Sequence, residues 1–236
     1  MLYLIGLGLN ENGISREGIL AIEKCQRVYL ENYTVDFPYE LSELELSDSM
    51  IKLARGEVES EKLINEAKDE DVALLVYGSP LFATTHISLI LDAEKQGVKT
   101  KVIYAASVFD AIAETGLQLY KFGKISSMPA WTEKNKPDSF IDVIKQNQSI
   151  GAHSLLLVDV GLPLKNAIEQ LEKSALKKKF KLGKIVLCRK IGTKKSGIFY
   201  ASSAELKKLN VKSPFCFVIP AELHFLEEDS LKRFLC

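Results

Sequence analysis

The sequence predicts an α/β protein built as two α/β domains. Over the first hundred residues, short apolar runs alternate with helical patterns, the signature of a mostly parallel sheet. Near Ser107 the pattern changes, and a glycine-bounded GTKKSG turn at 192–197 suggests antiparallel pairing further on. No repeat or long linker intervenes, so the expected division is residues 1–106 and 107–236.

Bulk properties exclude several classes. The 236 residues are 47% apolar and 26% charged, as in a globular protein with a substantial core. Lys plus Arg equals Asp plus Glu at 31 each, so no net field favours nucleic acid or a membrane surface. The longest apolar runs, 155–158 and 215–219, are far too short to cross a bilayer. Met1 leads directly into a strand-like run without the basic flank of a secretory signal, so a cytoplasmic location is expected. Cys25, Cys188, Cys216 and Cys236 lack ligand spacing, as do His86, His153 and His224. No metal site is expected, and the thiols read as buried or idle.

The elements follow in order. Residues 2–7 (LYLIGL) form a continuous apolar run suited to a buried parallel strand. The glycines after it suggest a dinucleotide fingerprint, but G-x-G-x-x-G needs glycine at position 11, where Glu11 would repel a pyrophosphate. A helix is expected from Ser15 to about Cys25, a strand over 26–31, and an irregular acidic surface excursion over 37–50. A helix over 61–69 precedes a strand over 72–77. Residues 77–86 (YGSPLFATTH) then join strand to helix, where open α/β sheets place ligands. Taken locally, the same stretch also fits an ordinary β-to-α connection. Ile87, Ile90 and Leu91 mark the expected apolar face of the next helix, Gly97 stops it, and 101–104 is a strand.

The second half offers strands at 125–128, 154–158, 185–189, 198–201 and 215–219, with helices at 138–147, 163–179 and 203–209 between them. Leu164, Ile168, Leu171 and Ala175 form one helical stripe, and lysines gather at that helix's C-terminal end, where the dipole favours them.

Several stretches together resemble one family. They are LYLIGLGL at 2–9, GILAIEKCQRVYLENYT at 18–34, GSPLFATTH at 78–86, AASVFDAIAETGLQLYKFGK at 105–124 and PAELHFLEEDSL at 220–231. In this order and spacing the chain resembles the diphthine synthases of the tetrapyrrole methylase-like class. The resemblance implies two α/β domains with a cofactor cleft between them, S-adenosyl-L-methionine as methyl donor, and a homodimer. It also implies a protein substrate, translation elongation factor two. The amino group of its 3-amino-3-carboxypropyl-histidine would be methylated on the way to diphthamide. Donor contacts carried over by position are Leu9, Ser79, Phe82, Ser107, Val108, Val158, Lys190 and Phe215. Where the family pattern reads G-D-P, this chain has Gly78-Ser79-Pro80, which keeps a hydroxyl and loses a charge.

Methyl transfer from a sulfonium to an amine is an in-line displacement that needs orientation more than a protein nucleophile or metal. No catalytic residue is assigned. His86 is next to the motif and could act as a base, or it could be a helix-start histidine holding the turn; His224 has the same two readings. Of Tyr104, Phe109 and Tyr120, core packing is expected for at least two, with cation–π contact to a quaternary ammonium as the other role. The alternatives are a same-class methyltransferase acting on a porphyrinoid or ribosomal RNA, or a nucleotide-binding Rossmann-type module.

Overall fold

The computed structural model describes residues 1–44, 46 and 50–236. The chain divides into two units, Met1–Val108 and Phe109–Cys236.

The first unit carries strands β1 (Leu2–Gly6), β2 (Arg27–Glu31), β3 (Ile51–Leu53), β4 (Val72–Val76) and β5 (Thr100–Ile103). Their order is β3-β2-β4-β1-β5, and every pairing is parallel. Helices α1 (Arg16–Ile22), α2 (Arg55–Val58), α3 (Lys62–Glu66) and α4 (Ile87–Lys95) accompany them. Side chains alternate across the sheet with period two. Leu2, Leu4, Leu74 and Val76 meet α3 and α4 on one face, while Ile5, Leu7, Ala73 and Leu75 meet α1 on the other. Burial on both faces explains why β1 and β4 read as unbroken apolar runs. Ser15 caps α1, its Oγ accepting the Gly18 N–H at 3.1 Å, as its position before the helical pattern suggested.

Two expectations for this unit need correction. The excursion over 37–50 does not lie on the surface in its described part. Phe37, Tyr39, Leu41, Leu44, Leu46 and Met50 join the core on the α1 face, and the chain then adds β3 to the sheet. Residues 45 and 47–49 lie outside the described residues. On α4 the buried side chains are Leu89 and Ala93, whereas Ile87 and Leu91 are half exposed. Apolar residues at 87, 89, 90, 91 and 93 define two competing stripes, and periodicity alone selected the wrong one.

A short helix, α5 (Val108–Ala111), starts at the last residue of the first unit. The second unit contains β6 (Ser126–Met128), α6 (Ser139–Ser149), β7 (Ser154–Val158), α7 (Leu164–Lys177), β8 (Ile185–Arg189), β9 (Gly197–Ala201), α8 (Ser203–Leu206), β10 (Phe215–Ile219) and α9 (Phe225–Lys232). The sheet order is β6-β7-β10-β8-β9; β6 and β7 are parallel and the remaining pairs antiparallel. The GTKKSG turn does join an antiparallel β8–β9 pair. Leu164, Ile168, Leu171 and Ala175 all enter the core beneath α6 and α7. Two lysines at the end of α7 are paired, Lys177 with Asp138 at 2.6 Å and Lys178 with Asp142 at 2.7 Å. After α9 the chain returns to β9, where the Tyr200 N–H donates to the Phe234 carbonyl at 2.7 Å and Tyr200 bridges Leu235.

Cys188 and Cys216 face each other across β8 and β10, both buried. Contact with Cys216 and burial hold the Cys188 thiol well above its ordinary value. Among the described residues no helix is long and apolar enough to cross a membrane, and no cluster of His, Cys, Asp and Glu could hold a metal.

Candidate functional site

In the first unit the expected donor contacts gather at one sheet edge. Leu9 follows β1, Ser79 and Phe82 follow β4, and Ser107 and Val108 follow β5; these are three neighbouring strands with their carboxyl ends together. From β1 the chain passes to α1 on one face, and from β4 to α4 on the other. Adjacent strands that send their connections to opposite faces open a crevice at their carboxyl ends, the usual ligand position in such sheets.

The turns at this edge are tied by backbone. The Gly78 N–H donates to the Gly8 carbonyl at 2.9 Å, and the Gly8 N–H donates back to Gly78 at 3.2 Å. Gly8 has φ +69°, and a Cβ there would lie 2.7 Å from the Gly13 carbonyl oxygen, so no larger residue fits. The Tyr77 hydroxyl donates to the Leu9 carbonyl at 3.0 Å. Inside the YGSPLFATTH stretch the Phe82 N–H donates to the Ser79 carbonyl at 3.1 Å, and the Thr84 hydroxyl donates to the Pro80 carbonyl at 2.7 Å. Ala83 takes φ 56°, a left-handed conformation that costs a non-glycine residue about 1–2 kcal/mol. Such strain, next to two expected contacts, persists only where the surroundings impose it.

His86 supplies much of that constraint. It is 2% exposed, with Nδ1 3.0 Å from the Pro80 carbonyl oxygen and Nε2 3.2 Å from Glu31 Oε2. A carbonyl can only accept, so Nδ1 is the donor to Pro80. The other Glu31 oxygen accepts from the N–H and hydroxyl of Thr34. His86 thus holds the turn through Pro80, packs beside Glu31 at the end of β2, and is the helix-start histidine, with no exposed nitrogen for proton transfer.

In the second unit three more expected contacts share one end of the sheet. Val158 closes β7 opposite Met128. Cys216 pairs with Leu157, so one further step in that register sets Phe215 across from Val158. Phe215 also pairs with Arg189, and Lys190 follows directly, its N–H donating to the Pro214 carbonyl at 3.0 Å. Val158, Lys190 and Phe215 are therefore neighbours, although they lie on three different strands or strand ends, well apart along the chain.

A buried network absent from the sequence-based expectations joins two of the family-like stretches. Glu227 is 0% exposed. Its Oε1 accepts from the Gln118 N–H at 3.1 Å and faces His153 Nε2 at 3.0 Å; its Oε2 accepts from Lys121 Nζ at 2.6 Å and from the His224 N–H at 2.9 Å. His153 Nδ1 accepts the Ala221 N–H at 2.9 Å, which leaves the proton on Nε2 for Glu227. Burial acts to raise the Glu227 value, but the hydrogen bonds from Lys121, His224, Gln118 and His153 outweigh it and hold the carboxyl at about 2. Burial also pushes the His153 imidazole below its ordinary value, against the pull of Glu227. Both shifts describe a neutral imidazole beside an ionised carboxylate. Gly116 completes the junction. It has φ +82°, and a Cβ there would overlap Ser230 of α9. The stretches at 115–124 and 220–231 thus form one joint in space.

The three histidines are all engaged. His224 caps α9, its Nδ1 accepting the Leu226 N–H at 3.4 Å. The aromatic expectation needs correction: Tyr104 is 64% and Tyr120 83% exposed, so core packing fails for two of the three. Phe109 is half-buried and packs edge-on against Phe122.

Comparison with known proteins agrees with this architecture. A model of the tetrapyrrole (corrin/porphyrin) methylases matches residues 1–207. The chain is 40% identical to the diphthine synthase of Methanothermobacter thermautotrophicus, with 98% of this chain and 94% of that protein aligned. It is 35% identical to the diphthine synthase of Methanocaldococcus jannaschii, over 100% of this chain and 99% of the other. A solved structure of a diphthine synthase superposes with a TM-score of 0.90 at 33% identity, covering 99% of this chain and 95% of that one. With full-length identity at this level and a shared fold, the chain belongs to the diphthine synthase family of the tetrapyrrole methylases.

Proposed function

We propose that this chain transfers methyl groups from S-adenosyl-L-methionine to the amino group of the 3-amino-3-carboxypropyl-histidine of translation elongation factor two, a step in diphthamide biosynthesis. The full-length likeness to diphthine synthases carries this reading. Its donor contacts are Leu9, Ser79, Phe82, Ser107 and Val108 on the first unit and Val158, Lys190 and Phe215 on the second. We further propose that it works in the cytoplasm as a homodimer.

The residues present fit the donor chemically. Leu9, Phe82, Val108, Val158 and Phe215 suit an adenine ring and a thioether, Ser79 and Ser107 offer hydroxyls, and Lys190 offers a cation for a carboxylate. S-adenosylmethionine, when bound, supplies a methyl group already activated by the sulfonium charge. The protein's part is orientation, which can remove roughly 7–11 kcal/mol of a bimolecular barrier. The Gly8–Gly78 tie, the strained turn at Ala83 and the His86 anchor hold the contact-bearing turns in one geometry. The attacking amine must be neutral, and an apolar lining favours that form by withholding water from an ammonium. His86 and His153 are buried in structural hydrogen bonds, so neither presents a free nitrogen to an incoming amine.

A topological observation weighs against the dinucleotide-binding alternative: β4, not β1, lies beside β2, unlike the 3-2-1-4-5 order of such modules. Incubation with methyl-labelled donor and elongation factor two carrying the unmethylated side chain should place label on the factor. Donor binding without label on the factor would overturn the substrate assignment, and label on a porphyrinoid or ribosomal RNA instead would move it within the class.

A further inference from the structure

The loop after β6 is tied down along its length. Met128 pairs with Val158, and the Asp159 N–H donates back to the Met128 carbonyl at 3.1 Å. Residues 129–138 therefore leave the sheet beside Val158, a proposed donor contact, at the carboxyl ends of two parallel strands. Gln170 of α7, a polar side chain only 6% exposed, holds the loop from below. Its Oε1 accepts the Trp131 N–H at 2.9 Å, and its Nε2 donates to the Pro129 carbonyl at 3.1 Å. The indole is fixed as well, Nε1 donating to the Pro137 carbonyl at 3.0 Å. At the tip, the Thr132 N–H donates to the Asn135 carbonyl at 2.9 Å and the Asn135 N–H to the Thr132 hydroxyl at 3.0 Å.

Two features at this place favour a cation. The Lys136 ammonium lies over the indole, 5.9 Å from the ring centroid, so the face of the half-buried Trp131 admits a positive charge from solvent. The exposed Asp159 carboxylate accepts the Ala130 N–H at 2.9 Å and the Val160 N–H at 3.1 Å. Among the described residues it forms no ion pair, so its charge is left over beside the residue that precedes Trp131.

An ammonium that gains methyl groups loses N–H donors and hydration but keeps its charge. Hydrogen-bond acceptors then hold it less well, and an aromatic face holds it better. We infer that Trp131, with Asp159 beside it, receives the methylated ammonium of the acceptor side chain, and that Lys136 covers the ring only while the acceptor is absent. The inference rests on the proposed function, in which one nitrogen takes more than one methyl group. Each round forms an N–C bond as the donor's S–C bond breaks, the electron pair staying on sulfur. The alkylammonium left behind gives a proton to water before the next round. Because the indole face gains affinity with each methyl, the partly methylated side chain stays on the protein between rounds. Trp131 is thus a specificity-determining residue for the later transfers, not for the first.

The single tryptophan makes the contact directly observable. Tetramethylammonium chloride, and ammonium chloride as the control without methyl groups, are titrated into the full chain at constant ionic strength while Trp131 emission is followed. Tetramethylammonium should change the emission saturably and ammonium should not. Lys136→Ala, at an exposed position, should tighten the tetramethylammonium curve about threefold. In turnover, mass spectrometry of the elongation factor resolves one, two and three added methyl groups. Trp131→Leu should accumulate the singly methylated side chain, slowing later transfers about fivefold relative to the first, and Trp131→Phe should recover part of that loss. The inference is overturned if tetramethylammonium leaves the emission unchanged, if Lys136→Ala does not alter its binding, or if Trp131→Leu slows all transfers equally. The titrations keep it falsifiable even where Trp131→Leu fails to fold. No methylation of the factor by the unaltered protein would overturn the functional reading instead, while the titrations still decide whether the ring takes a quaternary ammonium.

Discussion

Replacing Glu227 by glutamine keeps the side chain's shape and removes its charge. The carboxylate accepts four hydrogen bonds, two on each oxygen, from Lys121, His224, Gln118 and His153. A glutamine offers one acceptor oxygen and turns an NH2 group toward the other two donors, so one side of the joint becomes donor against donor. The fall of the carboxyl from 4.5 to about 2 corresponds to about 3 kcal/mol of folding free energy. The folded value is depressed, so this contribution is complete above pH 4.5 and disappears as pH drops through about 2. Urea unfolding of Glu227→Gln should therefore show a loss of about 3 kcal/mol at pH 7, moving the midpoint by about 1–2 M. The gap to the unaltered protein should narrow as pH falls below 4.5. Trp131 is the sole tryptophan and lies in the second unit, where its Nε1 donates to the Pro137 carbonyl at 3.0 Å, so its fluorescence reports on the unit that contains Glu227. An unchanged midpoint at pH 7, or a loss that stays constant down to about pH 3, would refute the assignment of a charged, stabilising Glu227.

Two further substitutions test other joints. Gly116→Ala forces a side chain into Ser230 and onto a left-handed backbone, at a cost of about 2–4 kcal/mol. Adding Ser230→Gly should recover the steric part only, read by the same fluorescence. His86→Leu leaves the buried Pro80 carbonyl without the Nδ1 donor; a loss of about 1–3 kcal/mol should lower the melting temperature by several degrees. Faster hydrogen exchange at the Phe82 and His86 amides should accompany it, and an unaltered melting curve would rule out the anchoring role.

Long apolar strands were legible in sequence because burial on both faces leaves little choice of residue, as in β1, β4 and β10. Ser15 announced α1 by its position, and the glycine-bounded turn announced the β8–β9 hairpin. The three-residue β3 was not legible, since its strand character comes from the edge of β2 and not from its own residues. Nor was the face of α4, where two apolar stripes compete and packing against α3 and the sheet decides. Of the Glu227 network, only the part that is local along the chain left a trace. A glutamate three residues after a helix-capping position is a capping-box pattern, but its partners His153 and Lys121 lie 74 and 106 residues away. The expected donor contacts came from resemblance. The sheet topology gives physical reasons why Leu9, Ser79 and Ser107 share one edge, and Val158, Lys190 and Phe215 another.

The return of the chain from α9 to β9 also sets an order of events during synthesis. The first unit has all its strands once residue 108 has emerged, and its core can close while the second is still being made. The second cannot. Its Glu227 joint and its Tyr200–Leu235 bridge both wait for residues beyond 220, so the outer side of β9 stays open until residue 235 is available. In that interval the outer side of β9 presents its backbone to other nascent chains, and the Leu235 bridge then covers it at Tyr200.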